Sequence, residues 1–363
     1  METKPYGKTG KRVSVIGYGG MRFRKSGDAW DLDACAALVK LAHERGVNYF
    51  DTAPGYCEDQ SEAIMGLAFK EMKGDYYVST KSSEKSGDAL RRQLERSLAR
   101  LGRSRITFFH IWCVLTLDDY RVRMAKGGAV EAARRAKDEG LIEHLVFSTH
   151  CTGEEIETIV GEGAFEGVTV GYNVLNFPFR QRGLAAAHAR GLGVATMNPL
   201  GGGMIPQNAD YFDFIRGPGD ATVVEAALRF NAAHREISTV LAGMGTREEV
   251  LGNVAIGETL RENTPQAVEA IKSKLSGSLN ELCTGCRYCE YCPQEIEVSK
   301  FMQAYNKKMI QNVDAAKGEM KWHWRLPLEK AEACIACGEC ENRCTQHLPI
   351  TQRLKEMAGW GAA

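Results

Sequence analysis

The sequence predicts an α/β protein, a (β/α)8 TIM barrel followed by a small, mainly helical domain. Three observations lead there. Strand-like and helix-like segments alternate eight times within about 250 residues, the count and size of such a barrel. Asp51, Tyr56, Lys81 and His110, all able to take part in acid–base chemistry, fall at or just beyond the C-terminal ends of consecutive predicted strands. The alternation stops near Thr264-Pro265, and most of the 12 cysteines then crowd into two tracts between Cys283 and Cys344.

The elements follow in order. Arg12-Val13-Ser14-Val15-Ile16 is the first strand and runs into the turn Gly17-Tyr18-Gly19-Gly20. Asp31 to Gly46 carries Leu32, Cys35, Leu38, Leu41 and Ala42 on one helical face. Val47 to Asp51 is the second strand, with a helix from Ser61 to Met72, and Tyr76 to Thr80 is the third. The helix Ser86 to Leu101 repeats Leu90, Leu94, Leu98 and Leu101 at spacings of three and four. Ile106 to Val114 is strand four, and its helix, Ala129 to Glu139, stops at Gly140. Strand five (Glu143 to Ser148) pairs with the helix Glu154 to Val160, and strand six (Val168 to Leu175) with Arg182 to Arg190. Strand seven, Gly193 to Met197, ends at Asn198-Pro199-Leu200-Gly201-Gly202-Gly203. The helix Ala221 to His234, strand eight (Ser238 to Ala242) and the helix Thr246 to Ala255 complete the set. A doubly wound open sheet is the alternative, but it would stop near six strands and place a Gly-x-Gly-x-x-Gly turn after its first. Gly17-Tyr18-Gly19-Gly20-Met21-Arg22 does not complete that pattern.

Pro265 to about Leu282 reads as one more helix, after which the composition changes abruptly. The barrel is therefore expected over residues 1–275 and the second domain over 276–363. At 363 residues, 44% hydrophobic and 25% charged, the chain is an ordinary globular one. Its 46 basic and 46 acidic residues cancel, which argues against nucleic acid or an acidic membrane as partner. Met1 to Arg12 lacks the apolar core of a secretion signal, and no run approaches the roughly 20 apolar residues of a membrane span. A cytoplasmic protein is expected, and in a reducing compartment crowded cysteines point to metal.

A tyrosine near an ordinary pKa of 10 is a poor acid at neutral pH. An ammonium at Lys81, held by Asp51, would bring Tyr56 toward useful range, and His110 ends the neighbouring stretch Ile106 to His110. Phe50-Asp51-Thr52-Ala53-x-x-Tyr56, Ser79-Thr80-Lys81, His110, Gly140-Leu141-Ile142 before Ser148, and Gly243-x-Gly245-Thr246-Arg247 with Asn253 together resemble the aldo/keto reductase family over roughly residues 1 to 260. The resemblance implies that nicotinamide delivers hydride to a carbonyl carbon while Tyr56 protonates its oxygen, assisted by Lys81, Asp51 and His110. It also implies nucleotide contacts from Gly20, Met21, Ser148, Asn198, Leu200, Gly243, Thr246, Arg247 and Asn253. Thr246 and Arg247, near a helix start, favour NADP(H) over NAD through its 2′-phosphate. The chain departs from the family pattern at Thr149, where asparagine is usual, at Thr169, where glutamine is expected, and at Met197, where a stacking tyrosine is common.

Cys283-x2-Cys286-x2-Cys289-x2-Cys292-Pro293 and Cys334-x2-Cys337-x2-Cys340-x3-Cys344 have the spacing that wraps three corners of a [4Fe-4S] cube while the fourth cysteine reaches a second cube. The expected sets are Cys283, Cys286, Cys289 and Cys344 on one cluster, and Cys334, Cys337, Cys340 and Cys292 on the other. Zinc also uses x2 spacing, but rarely four cysteines at successive x2 intervals. The separation of the tracts by 41 residues, with a helix over Val298 to Ile310, gives a helical ferredoxin-like domain. Aldo/keto reductases with such a C-terminal domain form a subgroup that the chain resembles over nearly its full length.

The leading expectation is an oxidoreductase of anaerobic metabolism acting on a small carbonyl or alcohol with NADP(H) and two [4Fe-4S] clusters, with a ferredoxin or other redox protein as partner. In the alternative, clusters fed by a ferredoxin deliver electrons directly to a barrel-bound substrate without nicotinamide. A third reading is an electron-transfer or sensory module whose barrel only binds a partner.

Overall fold

The computed structural model describes every residue except 262, 264, 275–280 and 363, and it divides into two compact units. One comprises Met1–Pro199 with Gly217–Pro265, the other Leu200–Arg216 with Gln266–Ala363. The first unit opens with an antiparallel hairpin, β1 (Thr3–Pro5) and β2 (Arg12–Ser14). Eight parallel strands follow: β3 (Ile16–Gly19), β4 (Tyr49–Asp51), β5 (Tyr77–Ser82), β6 (Ile106–Val114), β7 (Ile142–Thr149), β8 (Gly167–Gly171), β9 (Gly193–Met197) and β10 (Thr239–Gly243). They close as a barrel in chain order, with β10 paired to β3.

The predicted first strand, Arg12 to Ile16, is thus two elements. Its alternating pattern runs on unbroken, but Asn48 Oδ1 accepts from the Ser14 backbone at 2.7 Å and Val15 donates to Glu2 at 3.0 Å, so the chain leaves the hairpin before Ile16 joins β10. The hairpin carries Tyr6 into the barrel interior, where it packs with Tyr49, Phe108, Val146, Ala195 and Leu241. Two glycines make room for it. A Cβ on Gly193 would lie 2.0 Å from Tyr6, and one on Gly167 would lie 2.6 Å away.

The helices form where periodicity and caps agree. Gly87–Leu101 buries Leu90, Leu94, Leu98 and Leu101, starts at Ser86, whose hydroxyl accepts from Ala89 N, and stops at Gly102 in the left-handed region at φ 62°. Gly153–Gly161 begins with a capping box between Thr152 and Glu155. The segment expected to be a loop after β6 contains a helix, Leu117–Met124, capped by Thr116.

The second unit has its own core. Helices Val298–Ile310 and Ile350–Ala358 bury Phe301, Met302, Leu354 and Met357 together with Cys283 and Cys289. Tyr305 donates to Glu356 at 2.7 Å and stacks on Trp360. The segment after β9 belongs to this unit: Lys307 donates to Asn208 at 2.9 Å, and a Cβ on Gly202 would lie 1.6 Å from the Thr284 carbonyl oxygen. The expected boundary between residues 275 and 276 lies outside the described residues.

Gly193→Ala is expected to destabilise the barrel by about 3 kcal/mol or more, because the methyl group meets a ring fixed on all sides. Chemical denaturation should also show partial recovery when Tyr6→Leu is added, since the two sites couple directly.

Candidate functional site

Asp51 ends β4, and the two-residue strand period puts Ser79 and Lys81 on one face of β5. Ser79 is the register partner of Asp51, and Lys81 that of His110 on β6. His110 lies inside this strand rather than at its end, because β6 continues to Val114 through an irregularity at which Cys113 takes φ 58°.

The Lys81 ammonium, 1% exposed, donates to Asp51 Oδ1 at 2.5 Å, to Oδ2 at 2.6 Å and to the Thr52 carbonyl at 2.8 Å. All three of its donors are spent there. Ser79 Oγ donates to Asp51 Oδ1 at 2.7 Å and lies 3.2 Å from His110 Nδ1, and His110 Nε2 lies 2.8 Å from Thr169 Oγ1 on β8. Burial pushes Lys81 below its ordinary range against the pull of Asp51, and burial with the nearby Lys81 charge holds His110 well below the ordinary histidine value.

Tyr56 is half-buried beside this pair. Its ring stands edge-on to Trp112 with centroids 5.6 Å apart, and Lys81 Nζ is 5.4 Å from its centroid. The next three residues, Cys57, Glu58 and Asp59, all take left-handed φ of 54°, 55° and 69°. That strained turn is pinned by Lys25 and Trp30 on Glu58, at 2.8 and 3.2 Å, and by Arg100 on Asp59 at 2.6 Å. Burial and the Asp51 charge push the Tyr56 phenol well above its ordinary value. This differs from the acidification expected of Lys81, whose donors all go elsewhere. Burial pushes the neighbouring Cys57 thiol up to about 11, which keeps it neutral.

The residues expected to touch nucleotide are spread over both units. Gly20 is buried, and a Cβ there would meet Ser61 Oγ at 2.6 Å; Met21 is exposed. Ser148 Oγ accepts from Cys113 N at 3.0 Å. Asn198 takes φ 63°, and its carbonyl accepts from Asn173 at 2.9 Å. Leu200 falls in the second unit. Gly243 ends β10, and Thr246 caps the helix Arg247–Glu258 by accepting from Glu249 N at 3.2 Å. Glu249 also takes the Gly245 N–H at 2.7 Å, so the chain's own carboxylate occupies one donor of that turn. Arg247 is exposed and makes no ion pair among the described residues, and Asn253 is buried.

In the second unit the cysteines gather in two sets. Cys283, Cys286, Cys289 and Cys344 line one pocket, and Cys292, Cys334, Cys337 and Cys340 line another. Each set takes one cysteine from the other tract. Gly285 and Leu348 donate backbone N–H groups to Cys283 and Cys344 sulfur, each at 3.4 Å. Burial and neighbouring thiols push Cys289 up to about 12, and burial with Glu341 pushes Cys340 up to about 11. Four such groups become thiolates together only around a strongly positive core. Four thiols around each space are a soft donor set of the kind that holds an iron–sulfur cluster.

Ser79 and Thr169 are the residues that sequence reasoning missed as partners of the site. Ser79 lay in view two residues before Lys81, where the strand period puts both on one face. Thr169 was visible only as a departure from a family pattern.

A family model described as the aldo/keto reductase family matches residues 15–276, and one described as a 4Fe-4S dicluster domain matches residues 282–349. L-galactose dehydrogenase of Arabidopsis thaliana is 25% identical over 307 residues, covering 75% of this chain and 94% of that one. Aflatoxin B1 aldehyde reductase member 2 of Rattus norvegicus is 32% identical over 200 residues, covering 52% of this chain and 53% of that one. Among solved structures, the holo form of an aldo-keto reductase from Bacillus halodurans superposes with a TM-score of 0.65 at 22% identity, covering 76% of this chain and 96% of that one. Among the described residues no helix is long and apolar enough to cross a membrane.

Asp51→Asn is expected to cost about 3–5 kcal/mol of stability, because it leaves the Lys81 charge buried without a counter-ion. Acid should also weaken the fold through His110. The unfolded chain takes up a proton below about pH 6.5 that the buried ring refuses, so stability falls as pH drops through that value. Urea midpoints from pH 7.5 to 5 should show this loss, and His110→Gln should remove about 2 kcal/mol of it at pH 5.

Proposed function

The chain belongs to the aldo/keto reductase family and is an oxidoreductase carrying a 4Fe-4S dicluster domain, and from that premise we propose that it interconverts a small carbonyl compound and its alcohol with NADP(H). The observation that carries this reading is the presence of Asp51, Tyr56, Lys81 and His110 on adjoining elements of one closed barrel, with Lys81 and Asp51 as a buried pair. A bound nicotinamide supplies the hydride.

The chain's own residues do the rest. Tyr56 holds the proton for the substrate oxygen as a neutral phenol, on a turn that Lys25, Trp30 and Arg100 immobilise. Lys81 contributes charge across the Tyr56 ring face rather than a hydrogen bond to its oxygen. The raised phenol leaves no alkaline limb from Tyr56 below about pH 10. Arg247, unpaired at the start of its helix, suits an adenosine 2′-phosphate. In the second unit Cys283, Cys286, Cys289 and Cys344 hold one [4Fe-4S] cluster, and Cys292, Cys334, Cys337 and Cys340 hold the other. These clusters, when bound, store and pass single electrons, with a ferredoxin or another redox protein as the carrier.

A second reading is favoured by the Glu249 carboxylate on the Gly245 N–H, beside the expected nucleotide contacts Thr246 and Arg247, and by Thr169, a departure from the family pattern, engaged with His110. There a carrier feeds electrons through the clusters to a barrel-bound substrate, and nicotinamide is absent.

Anaerobic titration of iron-replete protein with NADPH and then NADH, following nicotinamide and cluster absorbance together, separates the two. Nucleotide binding is expected, and binding of neither would overturn the hydride reading in favour of the second. Tyr56→Phe is expected to lower kcat for carbonyl reduction by about 10²–10⁴ with nucleotide affinity unchanged. Iron analysis checks the crossed thiol sets. Cys286→Ala with Cys344→Ala should retain one cluster's iron, and Cys286→Ala with Cys337→Ala should retain none.

A further inference from the structure

The second unit buries a cation that its own side chains leave without a buried anion. Arg353, on the helix Ile350–Ala358, is 4% exposed. Other buried arginines of the chain have their charge or their donors answered. Arg123 faces Asp119 at 3.0 Å, Arg229 faces Asp220 at 2.6 Å, and Arg180 donates to the carbonyls of His150, Cys151 and Gly171. Arg353 donates to the Glu281 carbonyl at 2.6 Å, lies 4.5 Å from the centroid of the Tyr305 ring and makes no ion pair among the described residues. The Glu281 carboxylate attracts it from an exposed position, where water screens most of the pull. A charge so placed costs stability unless something negative shares its low-dielectric surroundings.

One of the two thiol pockets adjoins it. Glu281 precedes Cys283 by two positions, and the Cys283 and Cys344 sulfurs lie near enough to act on the guanidinium charge. Leu348 and Ile350, just before Arg353 in the chain, line the pocket of Cys283, Cys286, Cys289 and Cys344. The same pocket offers hydroxyls to sulfur. Thr345 Oγ1 lies 3.3 Å from Cys286 Sγ, and the buried Thr284 hydroxyl has no hydrogen-bond partner among the described residues, so a cluster sulfur would satisfy it. Arg287 also lines this pocket, but it is exposed and paired with Glu290 at 3.7 Å. The other pocket is lined by Glu339, and Glu341 acts on Cys340 there. We infer that Arg353 is the buried counter-charge of the cluster held by Cys283, Cys286, Cys289 and Cys344, and that it raises the reduction potential of that cluster more than that of its neighbour. This rests on the cluster assignment of the proposed function and makes the two clusters unequal as electron acceptors. An iron–sulfur core ringed by four thiolates is net negative, and the one electron it takes from a carrier adds a further negative charge with no proton moved and no bond broken. A fixed positive charge beside it therefore favours the reduced form.

The test is an anaerobic potentiometric titration of the full-length, iron-replete protein, with dithionite as electron source and electron paramagnetic resonance as readout, without nucleotide or substrate. Arg353→Gln removes the charge and keeps an N–H donor. It should lower one of the two midpoints so that the reduced-to-oxidised ratio of that cluster falls about tenfold at a fixed potential, or about 59 mV for one electron. The other midpoint should move by a smaller factor, and the midpoint that moves should be the one missing from Cys286→Ala. Arg353→Lys should keep both midpoints in place, and Arg287→Gln should shift the same cluster far less, because water screens an exposed charge. Unmoved midpoints in Arg353→Gln would overturn the inference, as would a larger shift of the cluster that survives in Cys286→Ala, or an equal fall in Arg353→Lys, which marks a structural role. Should Arg353→Gln fail to take up that cluster's iron, the lysine variant decides: iron kept with an unshifted midpoint upholds the inference, and loss of either overturns it. Iron analysis of the unaltered protein tells the two failures apart. Two full clusters with midpoints indifferent to position 353 sink the counter-charge alone, whereas iron short of two clusters sinks the assignment beneath it as well.

Discussion

The barrel site depends on the buried ion pair of Lys81 and Asp51. An ammonium 1% exposed survives only if each of its protons has a partner, and here all three do. That satisfaction has a consequence for Tyr56. With no donor left over, Lys81 cannot bond the phenol oxygen and meets only the ring, so the tyrosine keeps its proton firmly. On the proposed reading of Tyr56 as proton donor, a weak acid of this kind releases its proton only as negative charge grows on the oxygen it faces, which couples proton transfer to the chemistry instead of preceding it. Placement of Tyr56 then matters more than acidity, and the chain invests in placement: three consecutive left-handed residues are held by ion pairs from two other segments.

The barrel was legible because its signals are local. Leu90, Leu94, Leu98 and Leu101 announce a helix, Gly102 and Gly140 stop two helices, and β6 and β9 occupy the predicted spans. What failed was what depends on contacts distant in sequence. The break between β2 and β3 is invisible in an alternating run, since hairpin and barrel strands share the two-residue period, and the break is made by Asn48. The segment 200–216 reads as an ordinary loop after β9, yet its packing partner lies about 80 positions on, at Thr284, where only a glycine at position 202 fits. In the site itself, residue types named the charged members, because charge is rare in a strand. Ser79 and Thr169 passed unnoticed, since serine and threonine in strands are common and only their register reveals them as links.

The second unit obeys a different constraint. Its apolar core includes Cys283 and Cys289 themselves, packed with Phe301, Met302 and Leu354. Neutral thiols would sit in such a core as small hydrophobes, and burial does hold Cys289 and Cys340 in that form. Iron binding demands the opposite charge state, in which several thiolates share one cavity and the iron core offsets their repulsion and desolvation. The loops are already shaped for wrapping such a core: Gly285, Arg287, Ala336 and Gly338 take left-handed φ between successive cysteines, and backbone N–H groups point at sulfur.

These two constraints bear on what the clusters are for. Nicotinamide moves two electrons together and an iron–sulfur cluster moves one, so direct exchange between them calls for a converter such as a flavin. The presence of a dicluster domain does not by itself make the clusters part of turnover, because cysteines this deeply embedded in a small core tie metal binding to folding whatever the electrons do. A spectator role and a redox role would select the same thiol cavities. They part at the barrel, since both need a proton donor such as Tyr56 but only hydride chemistry needs a nucleotide turn open for a phosphate. On the proposed reading, the Glu249 carboxylate on the Gly245 N–H lies in the turn where the two readings differ, since only the hydride reading places a nucleotide phosphate there.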